Sequence, residues 1–138
     1  MFLFDTNALA LFLAGDPNTV RRIAEDPRSV WLSSVAAEEL MVGRLNGIHR
    51  ARQPRTSLSL PRAHQDFAQA LEDVRLFPLL VFSAEADAVY QAFPAALKRR
   101  GAQDCRIAAQ ALAHGMSVVT RNLRDFEAIG APCEDWSA

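Results

Sequence analysis

Four short apolar runs punctuate this chain: Phe2-Leu3-Phe4, Val30-Trp31-Leu32-Ser33, Leu79-Leu80-Val81-Phe82 and Ser117-Val118-Val119-Thr120. Each is followed by a stretch whose spacing or capping residues suit a helix. Continuous runs of this kind fit strands covered on both faces. A helix between successive strands returns the chain over a sheet face, so the strands run parallel. The 138 residues suffice for one domain, 1–138, that buries roughly two-thirds of its unfolded surface. These features predict an α/β fold: a three-layer α/β/α sandwich around a mainly parallel sheet of 4–5 strands.

Local signals place the helices. The first covers about 7–14, with Gly15 positioned to end it. Asp16-Pro17 opens a second over about 17–25, because Pro is favoured in a first turn. Ser34 is expected to cap a helix over about 35–46, whose apolar residues Val35, Leu40, Met41 and Leu45 form no narrow stripe. That pattern predicts burial around much of its circumference. The segment from Gly47 to Ser59 reads as a loop or frayed end, being polar, basic and interrupted by Pro54. An amphipathic helix is expected over 61–76, then one from Ser83 to about Arg100 that Pro94 kinks or divides. Further helices are expected over about 104–114 and 123–128.

Charge distribution says more than the net value of −1, which argues against a generically basic nucleic-acid coat. Between Leu40 and Gln65 lie Arg44, Arg50, Arg52, Arg55 and Arg62 and no acid, a segment of +5. Lys98, Arg99 and Arg100 form a second basic cluster. Such patches suit a polyanion, and equally a solvated helix surface. Cys105 and Cys133 make no disulfide framework, which fits a reducing, cytoplasmic setting. No run reaches the roughly 20 apolar residues of a membrane span, so no membrane partner is expected. The apolar start lacks a basic leading region and contains Asp5, unlike a signal peptide.

Acidic residues occupy the places where such folds hold ligands. Asp5 ends the first strand run, and Asp125 follows the last. Glu39 lies in an apolar helix and Asp104 opens another. Carboxylates gathered in one pocket repel one another, so they must be protonated or bound to a cation. Oxygen ligands select hard ions, Mg²⁺ or Mn²⁺ over zinc. His49, His64 and His114 lack the spacing of a zinc set. Each acid also has an ordinary structural explanation. Asp5 and Asp104 are placed as helix caps, one of Glu38 and Glu39 is expected at the surface, and Asp125 suits an exposed first turn.

Taken in order, the segments FLFDTNAL, LSSVAAEELMVG and DCRIAAQALAHGMSVVTRNLRDFEAIG resemble the PIN-domain ribonucleases, specifically VapC-type toxins of bacterial toxin–antitoxin pairs. The tail Glu134-Asp135-Trp136 is similar to that of some members. The resemblance spans the chain and is least informative from Gly47 to Pro78. It implies that Asp5, Glu39, Asp104 and Asp125 form a catalytic metal pocket. Asp5 and Asp104 are implied as direct ligands, with Glu39 completing the shell or orienting the attacking water. The fourth position falls either on Asn122 or on Asp125; Asp125 is favoured, with Asn122 helping to position water or ligand. Thr6 and Thr120 would supply supporting hydroxyls, and Asn7 would brace the turn after the first strand. Arg44 and Arg50 are possible RNA contacts.

The implied activity is Mg²⁺-dependent endonucleolytic cleavage of structured RNA, tRNA above all, with Mn²⁺ as a substitute ion. A VapB-like antitoxin and a homodimer follow from the same resemblance. Two other readings compete. The Asn122 position motivates a cleavage-inactive RNA- or antitoxin-binding module. The Asp at a strand end motivates a phosphoryl-transfer domain, such as a receiver or a haloacid-dehalogenase-like phosphatase. Against the last, the one lysine, Lys98, lies in a helix-end basic run, and Asn7 stands where a second Asp is wanted.

Overall fold

The computed structural model describes residues 1–137. Its centre is a five-stranded, all-parallel sheet of β1 (Phe2–Phe4), β2 (Val30–Ser33), β3 (Leu79–Leu80), β4 (Ser117–Val119) and β5 (Cys133–Glu134), in the order β3-β2-β1-β4-β5. Phe4 stands between Leu32 on one side and Val119 on the other. Leu3, Phe4, Val30, Leu32 and Val118 are fully buried, as strands covered on both faces require.

The helices are α1 (Thr6–Leu13), α2 (Pro17–Glu25), α3 (Ser34–Ala51), α4 (Leu60–Asp73), α5 (Ala84–Ala92), α6 (Ala95–Arg100), α7 (Ala102–His114) and α8 (Leu123–Ile129). They flank the sheet to give the expected α/β/α plan. Ala8 and Leu9 of α1, Ala36 of α3, and Ile107, Ala108 and Ala111 of α7 join the strand residues in one core. Trp136 closes it, edge-on to Phe2 at 5.0 Å and Phe4 at 5.4 Å. A smaller cluster of Tyr90, Cys105 and Ala109, with Phe93, Leu97 and Ile129 against it, packs α5 and α6 onto α7 and α8.

Several expectations are corrected. The third helix does not stop near residue 46 but continues through Gly47 to Ala51; Ile48 and Ala51 are buried and anchor its last turns. Nor is that helix buried around most of its girth, since Val42 and Leu45 are half-exposed. Its N-cap is Ser33, whose hydroxyl accepts from the Val35 and Ala36 N–H groups, and not Ser34. The Ser34 hydroxyl instead accepts from the Phe82 N–H at 2.9 Å, holding the segment after β3. β3 itself is two residues and not four, because it is an edge strand and Val81 faces solvent at 68% exposure. Pro94 divides α5 from α6, one of the two outcomes anticipated.

Candidate active site at the carboxyl ends of the strands

The strand order has a direct consequence for where a ligand can sit. From β1 the chain steps outward to β2 and β3, then crosses to β4 on the opposite side of β1. The switch point therefore lies between β1 and β4, where open α/β sheets leave a crevice beyond the strand ends. Asp5 follows β1 there and Thr120 follows β4. The Asp5 N–H donates to the Val119 carbonyl at 3.4 Å, fixing the two strand ends side by side.

Asp5 does cap α1, its Oδ1 accepting from the Ala8 N–H at 2.8 Å. Capping alone does not describe its state. Asp16 caps α2 in the same manner, and the Thr19 N–H and hydroxyl hold its carboxyl below the ordinary range. Asp5 is only 3% exposed, and burial pushes its pKa up to about 6. The charge on Asp104 adds to the rise, while hydrogen bonds from the Thr120 hydroxyl and the Ala8 and Asn7 N–H groups oppose it. Two capping aspartates with opposite shifts separate a structural role from a desolvated, crowded one.

Glu39 is carried toward Asp104 by the first half of α3 and is half-buried. Burial raises its pKa, with the charges of Asp104 and Glu38 adding to the effect. The Thr6 hydroxyl donates to Glu39 Oε1 at 3.2 Å. Glu38 is the exposed member of the pair and accepts from Gln103 Nε2 at 2.9 Å. Asp104 is the third residue of α7, and the cap position belongs to Gly101 with no side-chain cap bond. Asp104 is thus not a cap, and its carboxyl is raised by burial and then by the charge of Asp125. Asp125 is exposed in the first turn of α8 and shares with Asp104 the wall of a cleft of about 230 Å³.

The supporting residues fall on the same rim. The Thr120 hydroxyl accepts from the Asn122 N–H at 2.9 Å while bonded to Asp5. Asn122 is exposed at the cap position of α8, and its side chain makes no cap bond. Asn7 supports Asp5 through its backbone N–H. Arg44 and Arg50 both lie exposed on α3, beyond Glu39. Helical geometry puts Arg50 on the Glu39 face, about 16 Å along the axis, and turns Arg44 away by about 140°. Sequence reasoning named Arg100 only as part of the Lys98, Arg99 and Arg100 cluster and did not single it out as a site residue; it lines the cleft with Asp104 and Asp125.

Electrostatic coupling links Asp5 and Glu39 to Asp104, and Asp104 to Asp125. Among the described residues the ion pairs involve none of these four acids. Nor do three or more Asp, Glu, His or Cys side chains among them close on one point as a metal cage. The donors that these acids offer are carboxylate oxygens, which hard divalent cations accept together with water or substrate phosphate.

The family model described as PIN domain matches residues 2–132. Among solved structures, the chain is similar to one from the DNA-bound VapBC of Salmonella typhimurium. The identity is 26% and the TM-score 0.76, covering 98% of this chain and 97% of that one. It is also similar to a chain of FitAcB from Neisseria gonorrhoeae, 25% identical with a TM-score of 0.73, covering 99% and 98%. A chain of FitAB bound to an IR36 DNA fragment shares the fold, at 23% identity and a TM-score of 0.73 over 100% and 96%. No curated protein sequence matches the chain. With the family model spanning nearly all of the chain, and its α/β/α plan shared along the full length of these structures, the chain belongs to the PIN domain family.

Proposed function

We propose that this chain is a metal-dependent endoribonuclease, the toxin of a VapBC-type toxin–antitoxin pair, which cleaves structured RNA such as tRNA and so inhibits translation. The observation that carries the reading is the Asp5–Asp104 pair at the β1/β4 switch point. Both carboxyls are raised by burial, they repel one another, and no basic side chain among the described residues ion-pairs with either. Carboxylates desolvated without a cation of their own are poised to receive one.

In this reading Asp5 and Asp104 hold a divalent ion, Mg²⁺ with Mn²⁺ as substitute, and Asp125 completes the rim. When bound, such an ion neutralises charge at the scissile phosphate and lowers the pKa of an attacking water. Glu39, held by Thr6, orients that water and takes its proton. The water oxygen would bond to phosphorus as the bond to the 3′ oxygen breaks, leaving a 5′-phosphate and, once that oxygen takes a proton from solvent, a 3′-hydroxyl. Thr120 fixes Asp5, and Asn122 positions water or ligand beside it. Arg50, on the Glu39 face of α3, would meet a more distant phosphate of a long RNA, while Arg44, turned about 140° away, would not share that contact.

A VapB-like antitoxin and a homodimer belong to the same proposal. The solved structures similar to this chain come from VapBC and FitAB complexes. Val42 and Leu45 on α3 and Leu71 on α4 are large apolar side chains left substantially exposed, as surfaces that await a partner often are. Among the described residues no helix is long and apolar enough to cross a membrane.

The test is incubation of the purified chain with total cellular RNA, in Mg²⁺ or in EDTA, beside Asp5→Ala. Discrete Mg²⁺-dependent fragments absent from the mutant support the nuclease, and sequencing their ends names the target. Asn122, exposed at the start of α8 where an acid could have completed the rim, motivates a second reading, a cleavage-inactive module that binds RNA or antitoxin. Specific binding without metal-dependent turnover would select it.

A further inference from the structure

The cleft beside the acids has a composition that phosphodiester hydrolysis alone does not require. Its lining mixes the carboxylates of Asp104 and Asp125 and the guanidinium of Arg100 with apolar Leu97, Ala128 and Ile129. We propose that this cleft is a mononucleotide subsite, in which Arg100 binds the phosphate of a nucleotide flanking the scissile bond and the apolar wall takes its base. The inference rests on the ribonuclease reading and adds to it a site for one defined part of the substrate.

Four observations support the assignment. First, Arg100 is uncommitted: it is exposed and makes no ion pair among the described residues. Lys98 in the same turn is engaged, its Nζ donating to the Gln91 carbonyl at 3.3 Å and lying 5.2 Å from the Tyr90 ring. Second, Arg100 lines the same cleft as two carboxylates without pairing with either. A guanidinium that lines the same cleft as acids it does not pair with is free to bind an anion there. Third, the wall is rigid. The break at Pro94 makes α6 a separate short helix, and Cys105 Sγ donates to the Leu97 carbonyl at 3.4 Å, tying α6 to α7. Leu97 and Ile129 pack on the Tyr90–Cys105–Ala109 cluster. Fourth, the volume of about 230 Å³, below the usual 300–1,000 Å³ or so of small-molecule pockets, limits an occupant to a single nucleotide. Unstacked bases of single-stranded RNA are held on apolar or aromatic faces in this way.

The test uses the full chain, freed of any bound partner, titrated in EDTA with 5′-AMP, GMP, CMP and UMP and followed by amide NMR. At least one nucleotide is expected to shift the Gly101, Cys105, Ala128 and Ile129 signals. Arg100→Gln should weaken that binding about 10- to 100-fold, the loss of a charged hydrogen-bonding group. Ala128→Phe, a change at an exposed position that fills the cleft, should abolish it, and Arg99→Gln should leave it unchanged. Shifts elsewhere, or shifts that inorganic phosphate reproduces with equal affinity, overturn the subsite. In RNA cleavage, Arg100→Gln should raise KM at least tenfold and flatten the salt dependence. An active enzyme whose KM and salt dependence ignore Arg100 overturns the subsite and leaves the ribonuclease standing. Nucleotide binding in the cleft of a chain that cleaves no RNA upholds a nucleotide site there and overturns the ribonuclease, and with it the site's place beside a scissile bond.

Discussion

The Thr6 hydroxyl, in the first turn of α1, donates to Glu39 Oε1 at 3.2 Å. The bond joins the segment after β1 to the middle of α3, across 33 residues of chain, and it lowers a carboxyl that burial and Asp104 raise. Thr6 is therefore a positioning residue for the proposed base.

Thr6→Val should cut kcat about three- to tenfold, the loss of one hydrogen bond of roughly 1 kcal/mol, with Thr6→Ser restoring most of it. Without the bond Glu39 gains protons at a higher pH. Since the base must be ionised, the acidic limb of the kcat–pH profile should move to higher pH. A profile unmoved in Thr6→Val would show that Glu39 is not the group titrating.

Asp5 makes the metal-free protein less stable as it ionises. Its pKa is 3.8 when unfolded and about 6 when folded, so between those values the folded state binds the extra proton and stability falls as pH rises. Roughly two pKa units correspond to about 3 kcal/mol. Asp5→Asn keeps a good cap and removes the charge. In EDTA it should raise Tm by several degrees at pH 8, and by progressively less as pH falls from 6 to 4. Mg²⁺ should stabilise the wild type at pH 8 and leave Asp5→Asn largely unaffected. Thermal scans at pH 8 and pH 4 decide it; equal Tm values for both proteins at pH 8 would refute the desolvated state of Asp5.

How legible this was in the sequence varied with the physics behind each element. β1, β2 and β4 stand out because their side chains are buried on both faces, so the apolar runs are unbroken. β5 is two residues long and partly exposed, too short to show a period, and it was visible only as one strand more or less. The extension of α3 was hidden by Gly47, a residue that ordinarily disfavours helix; buried Ile48 and Ala51 outweigh that preference through tertiary packing. The acids were legible by position, since strand ends can be counted. Whether each was more than a cap was not, because burial and mutual coupling depend on strand order, which a crossover from β3 to β4 decides.

Gln110 shows what no pattern could disclose. It is wholly buried on α7, bonded to the Ser33 hydroxyl of β2 and donating to the Leu80 carbonyl of β3 at 2.8 Å. It thereby fastens the edge strand and the cap of α3 to the central helix. Gln110→Leu preserves volume and strands both partners without replacements, at a cost of about 2–4 kcal/mol. Urea unfolding should register the loss as a lower midpoint, with Gln110→Glu no better if charge is refused at that depth. A midpoint unchanged in Gln110→Leu would mean that the two bonds contribute nothing net.

The fourth acidic position can be assigned by comparing two neighbours. Asn122 and Asp125 flank the start of α8, both exposed, and only Asp125 adds negative charge to Asp104 and shares its cleft. If Asp125 helps to hold the cation, Asp125→Asn removes half of an attraction while leaving the helix start intact. It should weaken Mg²⁺ binding and lower kcat/KM by about 10- to 100-fold, in line with charged interactions of a few kcal/mol. Asn122→Ala should cost less, because its side chain makes no cap bond and Thr120 holds its backbone. Asp125→Asn also lowers the Asp104 pKa by removing a like charge, so Mg²⁺ binding in the variant should persist to a lower pH even as its maximum falls. Mg²⁺ titrations of the two variants, each followed by RNA cleavage across pH, separate the possibilities. A larger defect in Asn122→Ala would transfer the fourth position to Asn122.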